Sequence, residues 1–317
     1  MPSKKDIKQY LKLLKAISGK EGHDMGIPIT KGKVETAKKV VIYGPEGIGK
    51  STLASNFPEP VFIDTEGSTK ELDVARYPAP EYWKQILDFI EDAYEERAYK
   101  TVVIDTADWC ESFCIKAVCE MHSVKGIEDI GYGKGYVYVA EEFTKLLRAC
   151  DKLVEAGINV VFTAHAMMRK FEQPDELGAY DRWEMKLSKK VAPLLKEWAD
   201  MVLFCNYKTT VITDSKTNSK KASGGKRVMY ATHHPCWDAK NRFGLPEVME
   251  MSFEQIAPIF VGVAVKEKEP DYRSLLREFM KDMSKEEKTE IVARYKLGPN
   301  STNEDYKNAY ESLKGGN

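Results

Sequence analysis

Residues 39–51 read KVVIYGPEGIGKS, and the chemistry available to them is that of a phosphate cradle. A run of β-branched and aromatic residues, Val40, Val41, Ile42 and Tyr43, breaks at Gly44 and reaches Gly49-Lys50-Ser51 before a helical segment opens through Thr52. Gly44, Gly47 and Gly49 let the backbone of Pro45, Glu46, Gly47 and Ile48 curl until successive N–H groups point inward at phosphate oxygens. The helix start adds the positive end of its dipole. In the strand–loop–helix context this spacing is the G-x-x-x-x-G-K-[ST] pattern. Lys50 would then reach the β- and γ-phosphates of ATP, and the Ser51 hydroxyl would ligate Mg²⁺.

Such a cradle needs acidic and polar partners on neighbouring strand ends. Thr101-Val102-Val103-Ile104-Asp105-Thr106 is an apolar strand closing on an aspartate. Downstream of a phosphate loop, that aspartate stands beside Ser51 and holds Mg²⁺, usually through water. Pro60-Val61-Phe62-Ile63-Asp64-Thr65-Glu66-Gly67 is a second short strand with an acidic end, and Ile158 to Thr163 a further one delivering His165. Strands alternating with helices predict a mainly parallel α/β sheet, whose ligands sit at the carboxyl ends of the strands.

The chain has 317 residues, 43% hydrophobic and 31% charged, with a net charge of −1. It is long enough for a full core with appendages, and any nucleic-acid binding must come from local patches, since no overall basicity advertises it. No apolar run has membrane-spanning length. Lys12 and Lys15 interrupt the N-terminal apolar residues, which argues against a secretory signal and for a cytoplasmic protein. The six cysteines are expected as free thiols. Cys110, Cys114, Cys119 and His122 lie on an expected helix without a Cys-x-x-Cys knuckle, so small buried hydrophobes are expected there instead of a zinc set.

Three regions are expected. Residues 1–32 comprise an amphipathic helix with Ile7, Tyr10, Leu11, Leu14 and Ile17 at helical spacing, followed by a Gly-rich linker. That helix packs on its own domain or docks on a neighbouring subunit. Residues 33–264 form the core and 265–317 a charged helical tail. Helices are expected near 81–97, 107–121, 137–155, 189–198 and 252–260. Residues 124–136 and 167–188 are expected as long loops, and long loops in a compact domain are usually functional. Residues 207–214 and 226–232 are expected as a hairpin with a basic tip.

The ending Phe62-Ile63-Asp64-Thr65-Glu66 resembles the RecA family. The resemblance implies a RecA-like P-loop core in which Glu66 activates the attacking water. It also implies that His165, where RecA carries glutamine, senses the γ-phosphate and leads into a DNA-binding loop. By the same resemblance the loop at 128–136 offers Tyr132, Lys134 and Tyr136 to single-stranded DNA, and the loop at 167–188 offers Arg169, Lys170, Phe171 and Arg182. Longer strings, among them VVIYGPEGIGKST, FIDTEGSTKELDVAR, VVIDTADW, VFTAHAMMRKFEQPDELGAYDRWEMKL and HHPCWDAKNRFGLP, resemble a group of phage and prophage ATP-binding proteins over roughly 30–262. That group is assigned to recombination, particularly single-strand annealing beside a single-stranded-DNA-binding protein.

RecA-like sites lie between subunits, so the resemblance implies a homo-oligomer, a ring or a helical filament. It also implies a cation supplied in trans, for which Lys240 and Arg242 are the candidates. A replicative helicase, a nucleotide kinase and a nucleotide-gated assembly module with little turnover stay open as alternatives.

Overall fold

The computed structural model describes residues 31–172, 178–213, 220–267 and 269–314, and of 209–213 and 220–224 the backbone alone. The chain divides into the units Met1–Glu35 and Thr36–Asn317. Of the first unit, 31–35 is exposed coil, and the expected N-terminal helix lies outside the described residues.

The second unit starts with β1 (Lys39–Gly44), the phosphate loop and α1 (Lys50–Ala54), then β2 (Pro60–Asp64) and the short β3 (Ala75–Arg76). Next come α2 (Trp83–Glu96), β4 (Thr101–Asp105), α3 (Ala107–Met121), α4 (Lys134–Glu155) and β5 (Asn159–Glu172). After β6 (Ala179–Met185) and α5 (Val191–Trp198), β7 (Met201–Thr213) and β8 (Lys220–Tyr230) form a hairpin, followed by β9 (Lys240–Asn241) and β10 (Val248–Glu250). The helices α6 (Tyr272–Phe279), α7 (Lys285–Arg294) and α8 (Asn303–Lys314) complete the described chain.

The sheet runs β10–β8–β7–β1–β5–β4–β2–β3, with β6 on β5 and β9 on β7. Pairing is parallel from β7 through β1, β5, β4 and β2 to β3. The apolar runs read from the sequence are buried on both faces, as parallel strands require. Val41, Tyr43, Ile63, Ile104 and Phe162 face one cluster with Ile86, Ile90, Cys110, Cys114 and Phe143 from the covering helices. Val40, Ile42, Phe62, Val103 and Val161 face the other, with Leu53, Phe57 and Phe260. Register brings Gly44 opposite His165 and Asp64 opposite Asp105, so the four chemistry-bearing strand ends lie at one edge.

Several expected elements differ. Residues 167–188 hold an antiparallel hairpin: β5 continues past the core and pairs with β6 from Ala166↔Met185 to Glu172↔Ala179. The period-2 signal was hidden because arginines fill inward positions: Arg169, Phe171, Tyr180 and Arg182 share the less exposed face. Residues 127–129 form a 3-10 turn, and α4 starts at Lys134 after Gly133 at φ 69, so Lys134 and Tyr136 sit on the first helical turn. The helix expected near 252–260 is two short 3-10 turns, Phe253–Gln255 and Ala257–Phe260. Pro258 explains this, since it lacks the N–H that would bond back to the Glu254 carbonyl in a continuous helix. In the helical tail, Tyr272 and Phe279 pack their rings on Tyr310 at 6.0 Å each. Among the described residues no helix is long and apolar enough to cross a membrane.

Candidate nucleotide site

Gly44 ends β1 where β7 passes closest: a Cβ there would collide with the Cys205 carbonyl oxygen, so only glycine fits. Gly49, at φ 102, caps α1 in the left-handed region that glycine alone adopts freely. Between them Ile48 is fully buried and anchors the loop in the core, while Glu46 and Gly47 are exposed at its crest. Lys50 is 5% exposed and its Nζ donates to the carbonyls of Gly44 (3.2 Å) and Pro45 (3.0 Å). Burial pushes the ammonium below its ordinary pKa, against the opposing pull of Asp105, Asp108 and Glu66. The lysine is therefore a desolvated cation folded onto its own loop, facing carboxylates.

Asp105 is fully buried at the end of β4, and the peptide bond that follows it is cis. Burial lifts its pKa, against the hydroxyls of Thr163 and Ser51 that donate to it. A buried carboxylate whose charge is under-compensated, next to the first hydroxyl of α1, fits a divalent cation. Asp64 has a different task. Its Oδ1 accepts the N–H groups of Glu66 (3.2 Å), Gly67 (2.7 Å) and Ser68 (3.2 Å), and its Oδ2 the N–H (2.9 Å) and hydroxyl (2.6 Å) of Thr69. Burial raises its pKa, but the Thr69, Gly67 and Ser68 donors outweigh that and hold the carboxyl below the usual range. This turn is what aims Glu66.

Glu66 Oε1 lies 3.9 Å from His165 Nε2. Burial raises the glutamate's pKa, helped by Asp105 and Asp108 and opposed by His165 and Lys50. His165, 7% exposed, is held from behind by Asp108. The structure thus brings Lys50, Ser51, Glu66, Asp105 and His165 to one edge. Asp108 joins them without having been singled out from the sequence. The available signal was an acidic residue on the first turn of a helix opening directly at a strand tip.

Beside this edge a cleft of about 720 Å³ is lined by Trp109, Tyr136, Arg169, Lys186, Lys189 and Lys190, among others. Trp109 is 47% exposed. Lys170 and Phe171 line an adjoining cleft, Tyr132 stands fully exposed, and Lys134 is exposed at the start of α4. The Tyr136 hydroxyl donates to Glu128 at 2.8 Å. Trp109 and the three lysines went unnoticed in the sequence because they belong to α3 and the β6–α5 turn, not to the glycine-rich loop.

Two expected roles need correction. Arg182 is 8% exposed, paired with Asp238 and stacked at 5.0 Å over Phe171, so its guanidinium is a structural tie instead of a phosphate contact. Lys240 Nζ donates to the carbonyls of Lys196 (3.1 Å), Glu197 (2.9 Å) and Ala199 (2.5 Å), capping the C-terminal end of α5, which leaves no donor to reach another subunit. Lys240→Ala should lower stability by about 1–2 kcal/mol through loss of this charged cap, measured as an earlier urea midpoint with unchanged slope. Arg242 pairs with Asp200 at 2.9 Å and remains 58% exposed. Cys110, Cys114 and Cys119 are buried, and His122 stacks on Tyr138 at 4.7 Å.

Against known proteins, the chain is 26% identical over 138 residues to the SPbeta prophage-derived uncharacterized protein YorG of Bacillus subtilis, a match spanning 41% of each chain. A crystal structure of the KaiC-like protein PH0186 from Pyrococcus horikoshii aligns over 61% of this chain and 77% of its own, with a TM-score of 0.34 and 16% identity. The phosphate loop, the aspartate strand and a parallel sheet with β5 between β1 and β4 make the core a RecA-like P-loop NTPase fold. Residues 36–243 match the model of the AAA domain family, and the chain belongs to that family.

Proposed function

We propose that this protein hydrolyses ATP at the tips of β1, β2, β4 and β5 and uses the cycle to grip and release single-stranded DNA. The observation that carries the reading is adjacency. The first turn of α3 presents Asp108 to the nucleotide edge and Trp109 to the cationic cleft.

In this reading Lys50 leaves the carbonyls of Gly44 and Pro45 for the β- and γ-phosphate oxygens, and Glu66 takes the proton of the attacking water. Ser51 and Asp105 are the residues that would hold Mg²⁺, which supplies charge neutralisation on the phosphates. His165 reads the γ-phosphate once its Nε2 carries a proton, at the point where β5 leaves the core for its hairpin. That places it to pass the nucleotide state to Arg169, Lys170 and Phe171. Trp109, Tyr132 and Tyr136 are suited to stack on bases, with Lys134, Arg169, Lys186, Lys189 and Lys190 along the backbone.

The prophage-derived relative fits a phage origin, and on the phage-type motifs we place the protein in recombination, with single-strand annealing or strand pairing as the process and a single-stranded-DNA-binding protein as a partner. The assembly is a homo-oligomer, ring or filament, with nucleotide at subunit interfaces. Exposed Arg242 is the remaining candidate for a cation in trans.

Phosphate release measured with and without single-stranded DNA tests the reading, with stimulation expected. If Lys134, Arg169, Lys186, Lys189 and Lys190 each neutralise one phosphate, affinity should fall with salt at a log–log slope of about −3.5. A gel-shift series across salt concentrations checks this, and no shifted band with or without ATP would remove DNA from the proposal.

A further inference from the structure

Asp108 is 8% exposed on the first turn of α3, and its carboxylate meets His165 twice. Oδ1 accepts the His165 backbone N–H at 3.0 Å, and Oδ2 lies 2.9 Å from the ring Nδ1. A carboxylate oxygen and a bare ring nitrogen would set lone pair against lone pair at that distance, so the proton of the neutral ring resides on Nδ1. Nε2 is then the nitrogen with the free lone pair, and it is the one that faces Glu66 at 3.9 Å. The backbone of His165 is held as well, by its register opposite Gly44. Ring plane and tautomer are both set from α3.

We propose that Asp108 is a positioning residue for hydrolysis, holding His165 as the Nδ1–H tautomer so that Nε2 can relieve Glu66 of the proton it takes from water. The proposal rests on the ATPase reading above. The step balances without any further reactant. Water oxygen bonds to the γ-phosphorus as the bond from that phosphorus to the β–γ bridging oxygen breaks. The water proton passes to Glu66 and from there, through one water bridging the 3.9 Å gap, to Nε2, regenerating the carboxylate. The imidazolium, flanked by Asp108, then donates Nε2–H to the departing phosphate and later returns its proton to solvent. The same arrangement explains why the helix after β4 carries an aspartate in so buried a place. Left unpaired there, its charge would be costly, and the two His165 contacts offset that cost.

Asp108→Asn separates this role from a structural one. The amide oxygen still accepts the His165 N–H, but the amide NH₂ now donates to Nδ1 and drives the ring proton to Nε2, where the lone pair is lost. In the full-length protein with ¹⁵N-labelled histidine rings, His165 is identified by the signal missing in His165→Gln. Wild type should show Nδ1–H, and Asp108→Asn should show Nε2–H. Phosphate release by Asp108→Asn should drop ~10–100-fold in kcat with the KM for ATP unchanged, and adding Asp108→Asn to His165→Gln should cost nothing more. An Nε2–H ring in wild type, wild-type kcat in Asp108→Asn, or additive losses in the double variant would each overturn the positioning role. Wild-type protein that releases no phosphate would instead overturn the ATPase reading, and the proton relay with it. The ring spectrum distinguishes the two failures, since it needs no turnover.

Discussion

Lys50→Ala should reduce phosphate release by ~10²–10³-fold or more, the scale on which removal of one buried electrostatic donor slows a reaction. The expectation follows from where the lysine is. It is almost fully buried, with Nζ held by the carbonyls of Gly44 and Pro45, and the carboxylates of Asp105, Asp108 and Glu66 act on it. Burial works against its charge, so its environment is ready to exchange two carbonyl contacts for the stronger ones of a triphosphate. Alanine removes a buried cation from this edge and leaves Asp105, Asp108 and Glu66 facing an incoming polyanion, so nucleotide affinity should fall together with turnover. Circular dichroism guards against misreading a folding defect, because the strands beneath the loop do not depend on Nζ. Equilibrium binding of a fluorescent ATP analogue and a phosphate-release assay check the two losses separately. Normal hydrolysis by this variant would remove the assignment of the loop.

What the sequence made legible follows the physics of each signal. Parallel strands buried on both faces give unbroken apolar runs, so β1, β2, β4 and the first half of β5 were visible with their polar ends. The phosphate loop was visible because glycine is demanded by backbone geometry at Gly44 and Gly49. The β5–β6 hairpin was not, because its period-2 face is built from Arg169 and Arg182 alternating with Phe171 and Tyr180, and arginine is counted as outward by any hydrophobic pattern. Arg182 and Lys240 illustrate the same limit from the other side. A cation looks alike in sequence whether it awaits a phosphate or already ties Asp238 or the end of α5. Asp108 escaped notice because its partner His165 is distant in sequence and meets it only once β4 and β5 are paired.

Glu66→Gln should bind ATP as wild type does and hydrolyse it ~10²–10⁴-fold more slowly, the range that a positioned general base contributes. Glutamine keeps the size of the side chain and leaves the Asp64 turn intact, since the bonds that fix that turn come from backbone N–H groups and Thr69. It cannot accept the proton of water. The pH dependence adds a second test. Burial together with Asp105 and Asp108 raises the glutamate's pKa, outweighing His165 and Lys50, so the acid limb of the kcat/KM profile, which reports the free enzyme, should lie above the range of an ordinary glutamate, with activity falling as pH drops through it. The residual activity of Glu66→Gln should lack that limb. The sign for stability runs the other way. A carboxyl whose folded pKa is raised favours the folded state in its protonated form and loses that contribution as pH rises through the same range. Glutamine has no charge to bury, so relative to wild type the variant should gain stability between acid and neutral pH, read from urea midpoints at each pH. A base that is mechanistically essential and energetically unfavourable to the fold predicts this pairing of lost turnover with retained or improved stability. Wild-type turnover in Glu66→Gln would shift the base to another group, and a loss of stability at neutral pH would mean that Glu66 holds the edge together instead of serving the water.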